Sequence, residues 1–489
     1  MNALWRHWSP VRRIFMALAV FLALLLLMAC GLLLREIIAT DLIANEATNT
    51  SANGLNKGKN NAISPNDLQV QRGAYLAKVG NCAACHTARG GAAFAGGKAI
   101  STPFGTVYTS NITPDAATGI GKWSADAFYR AMNEGRSADG HLLTPAFPYP
   151  NYTHITRADS DDLYSYFMHG VAPVAQANKP HELPFPFNTQ LALAFWRTLF
   201  FEKADQLTVN IESKNAINNI ATKAINTPVR GINDGVKTDV SDIQRGAYLV
   251  RGLGHCSACH AERNALGASL NDQLLGGALM PMRDWYAPSL VDPAQAGVAH
   301  LPRQDVVALL KTGIAPNASM LGPMAEVVAG STQFWTDADL NATAAYLQSL
   351  PQVSAQINEK SPTKSISSDK SKPVLFDKGA ELFTQHCATC HGEQGQGMRV
   401  EGNVALPALA GNRAVNLHNT TNLVRIVLAG GYAPSTAGNP RPFGMPPFAH
   451  VLNDEDIAAV TTYIRHAWGN QADSVTAADV VRQRRGVMQ

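Results

Sequence analysis

A five-residue motif, C-x-x-C-H, occurs three times in this chain: CAACH at 82–86, CSACH at 256–260 and CATCH at 387–391. Six of the seven cysteines lie in these motifs, and the seventh, Cys30, sits in the apolar N-terminus. The repetition extends beyond the motifs. Arg72-Gly73-Ala74-Tyr75-Leu76 precedes the first and Arg245-Gly246-Ala247-Tyr248-Leu249 the second, and a looser copy, Gly379-Ala380-Glu381-Leu382-Phe383, precedes the third. Each unit also closes alike. Thr156, Thr336 and Asn453 are N-cap residue types followed by the first-turn acids Asp159, Asp337 and Asp454, with Tyr166, Tyr346 and Tyr463 ten positions after each cap. Shared register at both ends predicts three homologous domains, each with a short helix running into the motif and another closing the unit. With 489 residues, 46% of them hydrophobic, the chain is too long for one core and apolar enough for several.

Two cysteines three apart on one turn can reach the two vinyl groups of a haem, and the next histidine then projects toward the iron. That is c-type haem attachment. A structural zinc site would need two further ligands of the same kind per motif. A thioredoxin-like redox pair would sit in a βαβ pattern and has no use for His86, His260 and His391 at the same place three times. The expected cofactors are therefore three covalent c haems, on Cys82 and Cys85, Cys256 and Cys259, and Cys387 and Cys390, with the three histidines as axial ligands. Methionine as the opposite ligand gives a low-spin iron of raised potential suited to electron transfer. Met445 in FGMPPF and Met324 in GPMAEVV stand in proline-bearing loops 18 and 22 positions before Tyr463 and Tyr346, with Met320 as local competitor to Met324. In the first unit the matching loop, HLLTPAFPYPNY, has Phe147 nineteen positions before Tyr166.

Attachment of c haem takes place on the periplasmic side of a bacterial membrane, so this chain is expected to be exported. Arg6, Arg12 and Arg13 precede an uncharged run from Ile14 to Leu34. About 20 apolar residues cross the hydrocarbon core, with the basic end in the cytoplasm. An uncleaved anchor in the inner membrane is the leading reading, a cleaved signal peptide the competing one. Leu27-Met28-Ala29-Cys30 has a loose likeness to a lipoprotein processing site, against which stand the apolar Leu32 to Leu34. The expected architecture is all-α. One N-terminal transmembrane helix in 1–40 and a linker at 41–66 lead to cytochrome c domains at 67–204, 241–352 and 374–470. Linkers at 205–240 and 353–373 separate the domains, and a tail at 471–489 follows them. A net charge of +3 argues against a broad nucleic-acid surface.

Longer stretches carry a family resemblance: STPFGTVYTSNITPDAATGIGKW at 101–123, LTPAFPYPNY at 143–152, HELPFPFN at 181–188, GPMAEVVAGSTQFW at 322–335 and MPPFAHVLNDEDIAAVTTYIRHAWGN at 445–470. From Asp67 to Gly469 the chain resembles the triheme cytochrome c subunits of membrane-bound bacterial dehydrogenases that act on alcohols, aldehydes or gluconate. The resemblance implies a non-catalytic subunit that takes electrons from a catalytic partner, a molybdenum hydroxylase, quinoprotein or flavoprotein, and passes them through three haems to ubiquinone. Relatives serving quinoprotein alcohol dehydrogenases carry methionine where this chain has Phe147; the phenylalanine form resembles cytochromes that accompany molybdenum hydroxylases, which favours an aldehyde-type partner. For the first haem's distal ligand Met132 leads, in an amphipathic segment where a core role competes, followed by Met168 and His154. Phe147 also keeps open a haem enzyme or gas-binding protein with an open first iron, for which His141 and His154 lie in the right region. A free-standing diffusible shuttle is the third reading.

Overall fold

The computed structural model describes residues 67–204, 240–352 and 375–487, apart from 271–274, 281–283, 317 and 401–402, together with 11, 14–21, 23 and 31 near the N-terminus. Cys30 and nearly all of the expected linkers lie outside the described residues.

The sequence repeat becomes three crossed helix pairs. Leu68–Val79 packs on Arg157–His169, Val240–Arg251 on Asp337–Ser349, and Phe376–His386 on Asp454–His466. Glycine sets how closely each pair approaches. A Cβ at Gly73 would strike the main-chain carbonyl of Asp162, at Gly246 that of Ala342, and at Gly379 that of Ala459. The repeated Tyr166, Tyr346 and Tyr463 lie over the same spots, their own Cβ atoms 2.7 Å from where the added methyl would stand. The glycine of each opening motif and the tyrosine of each closing helix are thus two halves of one contact.

The closing helices begin where the sequence places them. The side chains of Thr156, Thr336 and Asn453 accept hydrogen bonds from the amides of Asp159, Asp339 and Asp456, each satisfying a donor that the first turn leaves unpaired. The same acids receive a cation from the opening helix. Arg72 contacts Asp159 at 3.4 Å and Asp162 at 3.0 Å, Arg245 grips Asp339 through two nitrogens at 2.7 and 3.0 Å, and Lys378 meets Asp456 at 2.7 Å. In each unit the basic residue one before the crossing glycine is clamped to the third residue of the closing helix.

The third unit has its own core around Phe383, Val424, Leu428 and Ile457. The second has one around Val250, Leu275, Val306 and Leu347, and it also shares a core with the first: Leu76, Val79, Phe128, Leu163 and Phe167 pack with Leu249, Leu253, Trp335 and Leu340. The C-terminal helix Ala477–Val487 packs back onto the third unit.

Two expectations are corrected here. The chain is not all-α: five two-stranded antiparallel sheets occur among the described residues. Three of them, Ala99–Thr102 with Gly105–Tyr108, Ala278–Met280 with Trp285–Ala287, and Met398–Val400 with Asn403–Leu406, follow the three motifs. In the first, β-branched and aromatic residues flank a tight Pro103-Phe104 turn closed by Gly105 at φ +117°, a pattern that favours a hairpin. The N-terminal transmembrane helix is also overturned, since among the described residues no helix is long and apolar enough to cross a membrane.

Gly379→Ala should force the third helix pair apart or strain it, at a cost of about 1–3 kcal/mol, and calorimetry should show the loss in the third unit's transition. The carboxyl clamps also predict an acid limb. The hydrogen bond from Lys378 holds Asp456 below the ordinary carboxylate range. At Asp339 burial pushes the other way, but hydrogen bonds from Arg245 and Tyr75 outweigh it and the value is lowered. With folded values below the unfolded value of about 3.9, this stabilisation is fully present above that pH and is lost as pH falls through the folded values. The thermal midpoint should fall below pH about 4, and less steeply in Asp339→Asn.

Candidate haem-attachment sites

All three C-x-x-C-H motifs lie on single helical turns, at Cys82–His86, Ser257–His260 and Ala388–His391, each reached directly from an opening helix. Helical spacing puts the two cysteines of a pair on the same side of the turn. None of the six is joined in a disulfide. Burial, and then the second cysteine of the pair, pushes Cys82 and Cys256 up to about 12 and Cys387 up to about 11. A dithiol used for redox exchange has a depressed attacking thiol, so the first cysteine of each pair has the opposite character.

The histidines share one support. Nδ1 of His86 lies 2.7 Å from the carbonyl oxygen of Ser110, that of His260 2.7 Å from Pro288, and that of His391 3.1 Å from Pro407. A carbonyl can only accept, so Nδ1 carries the proton and Nε2 the lone pair in all three. Burial lowers the basicity of each ring and favours the neutral, ligating form. The accepting carbonyls come from just beyond the hairpins, which end at Tyr108, Ala287 and Leu406. That is what the strands contribute: they return the chain so that a main-chain oxygen meets the imidazole. Sequence reading missed these partners, because any residue type supplies a carbonyl. The donor set fits a c haem, with two thiols one turn apart and an imidazole whose tautomer is fixed by its second nitrogen. Among the described residues no group of three or more His, Cys, Asp or Glu is arranged to hold a bare metal ion.

The distal candidates occupy different settings. Met445 is half-buried on a two-residue strand, Gly444–Met445, paired with Gly431–Tyr432, and it packs against the third unit's core with Cys387 and Tyr463. Met324 is the second residue of the helix Pro323–Gly330, and is half-buried. The helix starts from Gly322 at φ +58°, where a Cβ would enter the Trp285 ring. Met320 lies just before it, its amide bonded to the carbonyl of Gly313 at 2.7 Å. In the first unit Met132 is buried on Ala125–Glu134, and Met168 and Phe147 pack on the same cluster as Cys82. The Phe147 ring meets Tyr152 edge-on at 5.3 Å. His141 is paired with Asp139 and half-exposed, and His154 is half-buried.

The tail, whose arginines suggest a surface or partner-docking helix or a plain solvated end, is a helix whose partners carry no sequence signal. Arg484 bonds Asp454 and the carbonyl of Ala449, both at 2.5 Å, and the carbonyl of Leu452 at 2.9 Å. The C-terminal helix therefore ties the end of the Met445 loop to the start of the closing helix. Arg484→Ala should cost about 1.5–3 kcal/mol, and hydrogen exchange should quicken across 445–452. Lysine, which lacks the planar fork, should not restore protection.

A family model described as cytochrome c matches residues 70–170 and 376–468. The cytochrome c subunit of an alcohol dehydrogenase (quinone) from Gluconacetobacter polyoxogenes is 38% identical over 428 residues, 85% of this chain and 84% of that protein. The gluconate 2-dehydrogenase cytochrome c subunit of Pantoea cypripedii is 36% identical over 429 residues, 86% of this chain and 90% of that protein. One subunit of the nicotinate dehydrogenase of Pseudomonas putida is 36% identical over 405 residues, 81% of this chain but 30% of that longer protein.

Proposed function

This chain belongs to the cytochrome c subunits of dehydrogenase complexes, and from that premise we propose that it carries electrons through three c haems from a catalytic dehydrogenase subunit to ubiquinone, at the periplasmic face of a bacterial cytoplasmic membrane. It is the electron-transfer subunit of its complex and leaves substrate oxidation to the partner. The observation that carries the number three is the repeated histidine support, one neutral imidazole held by a main-chain carbonyl beside each cysteine pair.

In this reading Cys82 and Cys85, Cys256 and Cys259, and Cys387 and Cys390 form the thioether links. His86, His260 and His391 are the proximal ligands, and Met324, Met445 and Met132 the distal ones. A bound haem supplies an iron that gains and loses one electron with no change of bonding. Around it the protein fixes ligand orientation through the Nδ1 hydrogen bonds and surrounds the site with apolar side chains, so that little rearrangement accompanies a change of charge. The named relatives serve alcohol, gluconate and fructose dehydrogenases and a nicotinate dehydrogenase. Phe147 in the proline loop favours an aldehyde-type partner among such oxidoreductases. The same residue supports the second reading, a haem enzyme or gas-binding protein acting at an open first iron.

Alkaline pyridine haemochrome of the purified chain should give three c haems per polypeptide, and Cys387→Ser with Cys390→Ser should leave two. Met445→Ala should convert one haem to high spin. A native chain with two haems would sink the three-haem reading. A native high-spin fraction that binds carbon monoxide would favour the second reading.

A further inference from the structure

The opening motifs of the first two units share a tyrosine that the third lacks. Counting from the crossing glycines Gly73, Gly246 and Gly379, the equivalent residues are Tyr75, Tyr248 and Glu381. Both hydroxyls bond across to the other unit. The Tyr75 hydroxyl donates to Asp339 at 2.5 Å and accepts the amide of Thr336 at 3.2 Å, at the start of the second unit's closing helix. The Tyr248 hydroxyl donates to Asp159 at 2.6 Å and accepts the amide of Thr156 at 3.2 Å, at the start of the first unit's closing helix. The exchange is reciprocal, as in a two-fold dimer built from repeats of one chain. Burial first, then the facing carboxylate, raises both hydroxyls above their ordinary value, so both remain donors around neutrality. Glu381 in the corresponding place would bring a carboxylate to a carboxylate.

The contacts inside this junction involve the two attachment turns. Asn151, from the proline loop of the first unit, donates to Ser257 Oγ within CSACH at 2.8 Å and to the carbonyl of Arg251 at 3.1 Å. Tyr152 beside it stacks on His255, the residue before Cys256, with ring centroids 5.8 Å apart and planes at 21°. In the other direction Ser331 donates to the carbonyl of Val79 at 3.0 Å, close before Cys82. Cys82 packs on the same apolar cluster as Leu249, Leu253 and Trp335. The third unit is held on another face of the second. Asn422 exchanges two hydrogen bonds with the Tyr286 main chain, and Arg413 donates to the carbonyls of Pro293 and Gly297.

We propose that Tyr75 and Tyr248 are positioning residues that lock the first and second units into one pseudo-symmetric two-haem body, with both attachment turns at the shared junction, to which the third unit is added as a separate body. This rests on the three-haem reading above. Its consequence would be a fixed placement of the first and second haems against each other, read as excitonic coupling between them; electron exchange there would move one electron from a reduced haem to an oxidised one with no bond or proton transferred.

The test uses the full-length, haem-loaded chain, with Tyr75→Phe and Tyr248→Phe combined; phenylalanine keeps the rings and removes only the hydroxyls. The native protein should show a bisignate Soret circular-dichroism band from the coupled pair and one unfolding transition for the first two units. The double variant should keep its haem content and low-spin spectrum, lose the bisignate band, and unfold those units in two steps. If it does not fold, Tyr248→Phe alone and Asn151→Leu should each weaken the band, while Glu381→Ala should leave it intact. An unchanged band and a single shared transition in the hydroxyl-free variants would overturn the proposal. A haem count other than three would instead fail the functional reading on which it rests.

Discussion

Each unit depends on one close approach. The opening and closing helices cross where Gly73, Gly246 or Gly379 meets a main-chain carbonyl with no room for a side chain, and a tyrosine of the closing helix covers the spot. The opening helix leads within a turn or two into the attachment motif, so fixing the crossing fixes where the cysteines and histidine emerge. The clamp from Arg72, Arg245 or Lys378 to the third residue of the closing helix sets the rotation of one helix against the other. Packing alone allows a range of crossing angles, and a directional charge contact at the end of the interface narrows it.

From that frame the chemistry of the site follows in order. The chain leaves the motif, turns through a hairpin and returns a carbonyl to the histidine Nδ1, which settles the tautomer before any iron is bound. Burial then favours a neutral imidazole and protonated thiols, the states from which ligation and thioether formation start. Differences among the units are concentrated on the distal side. There the third unit has Met445 on a short strand whose following loop is held by Arg484, the second Met324 on a helix start, and the first a proline loop with Phe147. The scaffold is repeated, and the proposed distal element varies among the units.

Assembly follows a different rule from the repeat. Sequence similarity treats the three units as equivalent, yet the first two share a core cluster in addition to the second's own, while the third's cluster is separate. At the position two after the crossing glycine the first two units have tyrosine and the third has Glu381. A tyrosine hydroxyl can donate to an acid and accept from an amide at a helix start, whereas an ionised glutamate can only accept and would face the acid with like charge.

Much of this was legible in the residues. C-x-x-C-H three times, an N-cap at Thr156, Thr336 and Asn453, and a tyrosine ten positions on are local signals, because attachment, capping and helix periodicity act over a few residues of chain. The apolar run from Ile14 to Leu34 shows the limit of such reading, since composition led to a spanning helix that the described residues do not bear out. The hairpins were passed over because they are short. The carbonyls of Ser110, Pro288 and Pro407 leave no mark in the alphabet of side chains, and the partners of Arg484, Tyr75 and Tyr248 lie tens to hundreds of positions away. By itself the sequence determined the attachment chemistry and the threefold repeat, which are encoded within single turns. Only the tertiary structure decided which carbonyl supports each histidine and which two units become one body, because those depend on surfaces that meet after the chain has folded.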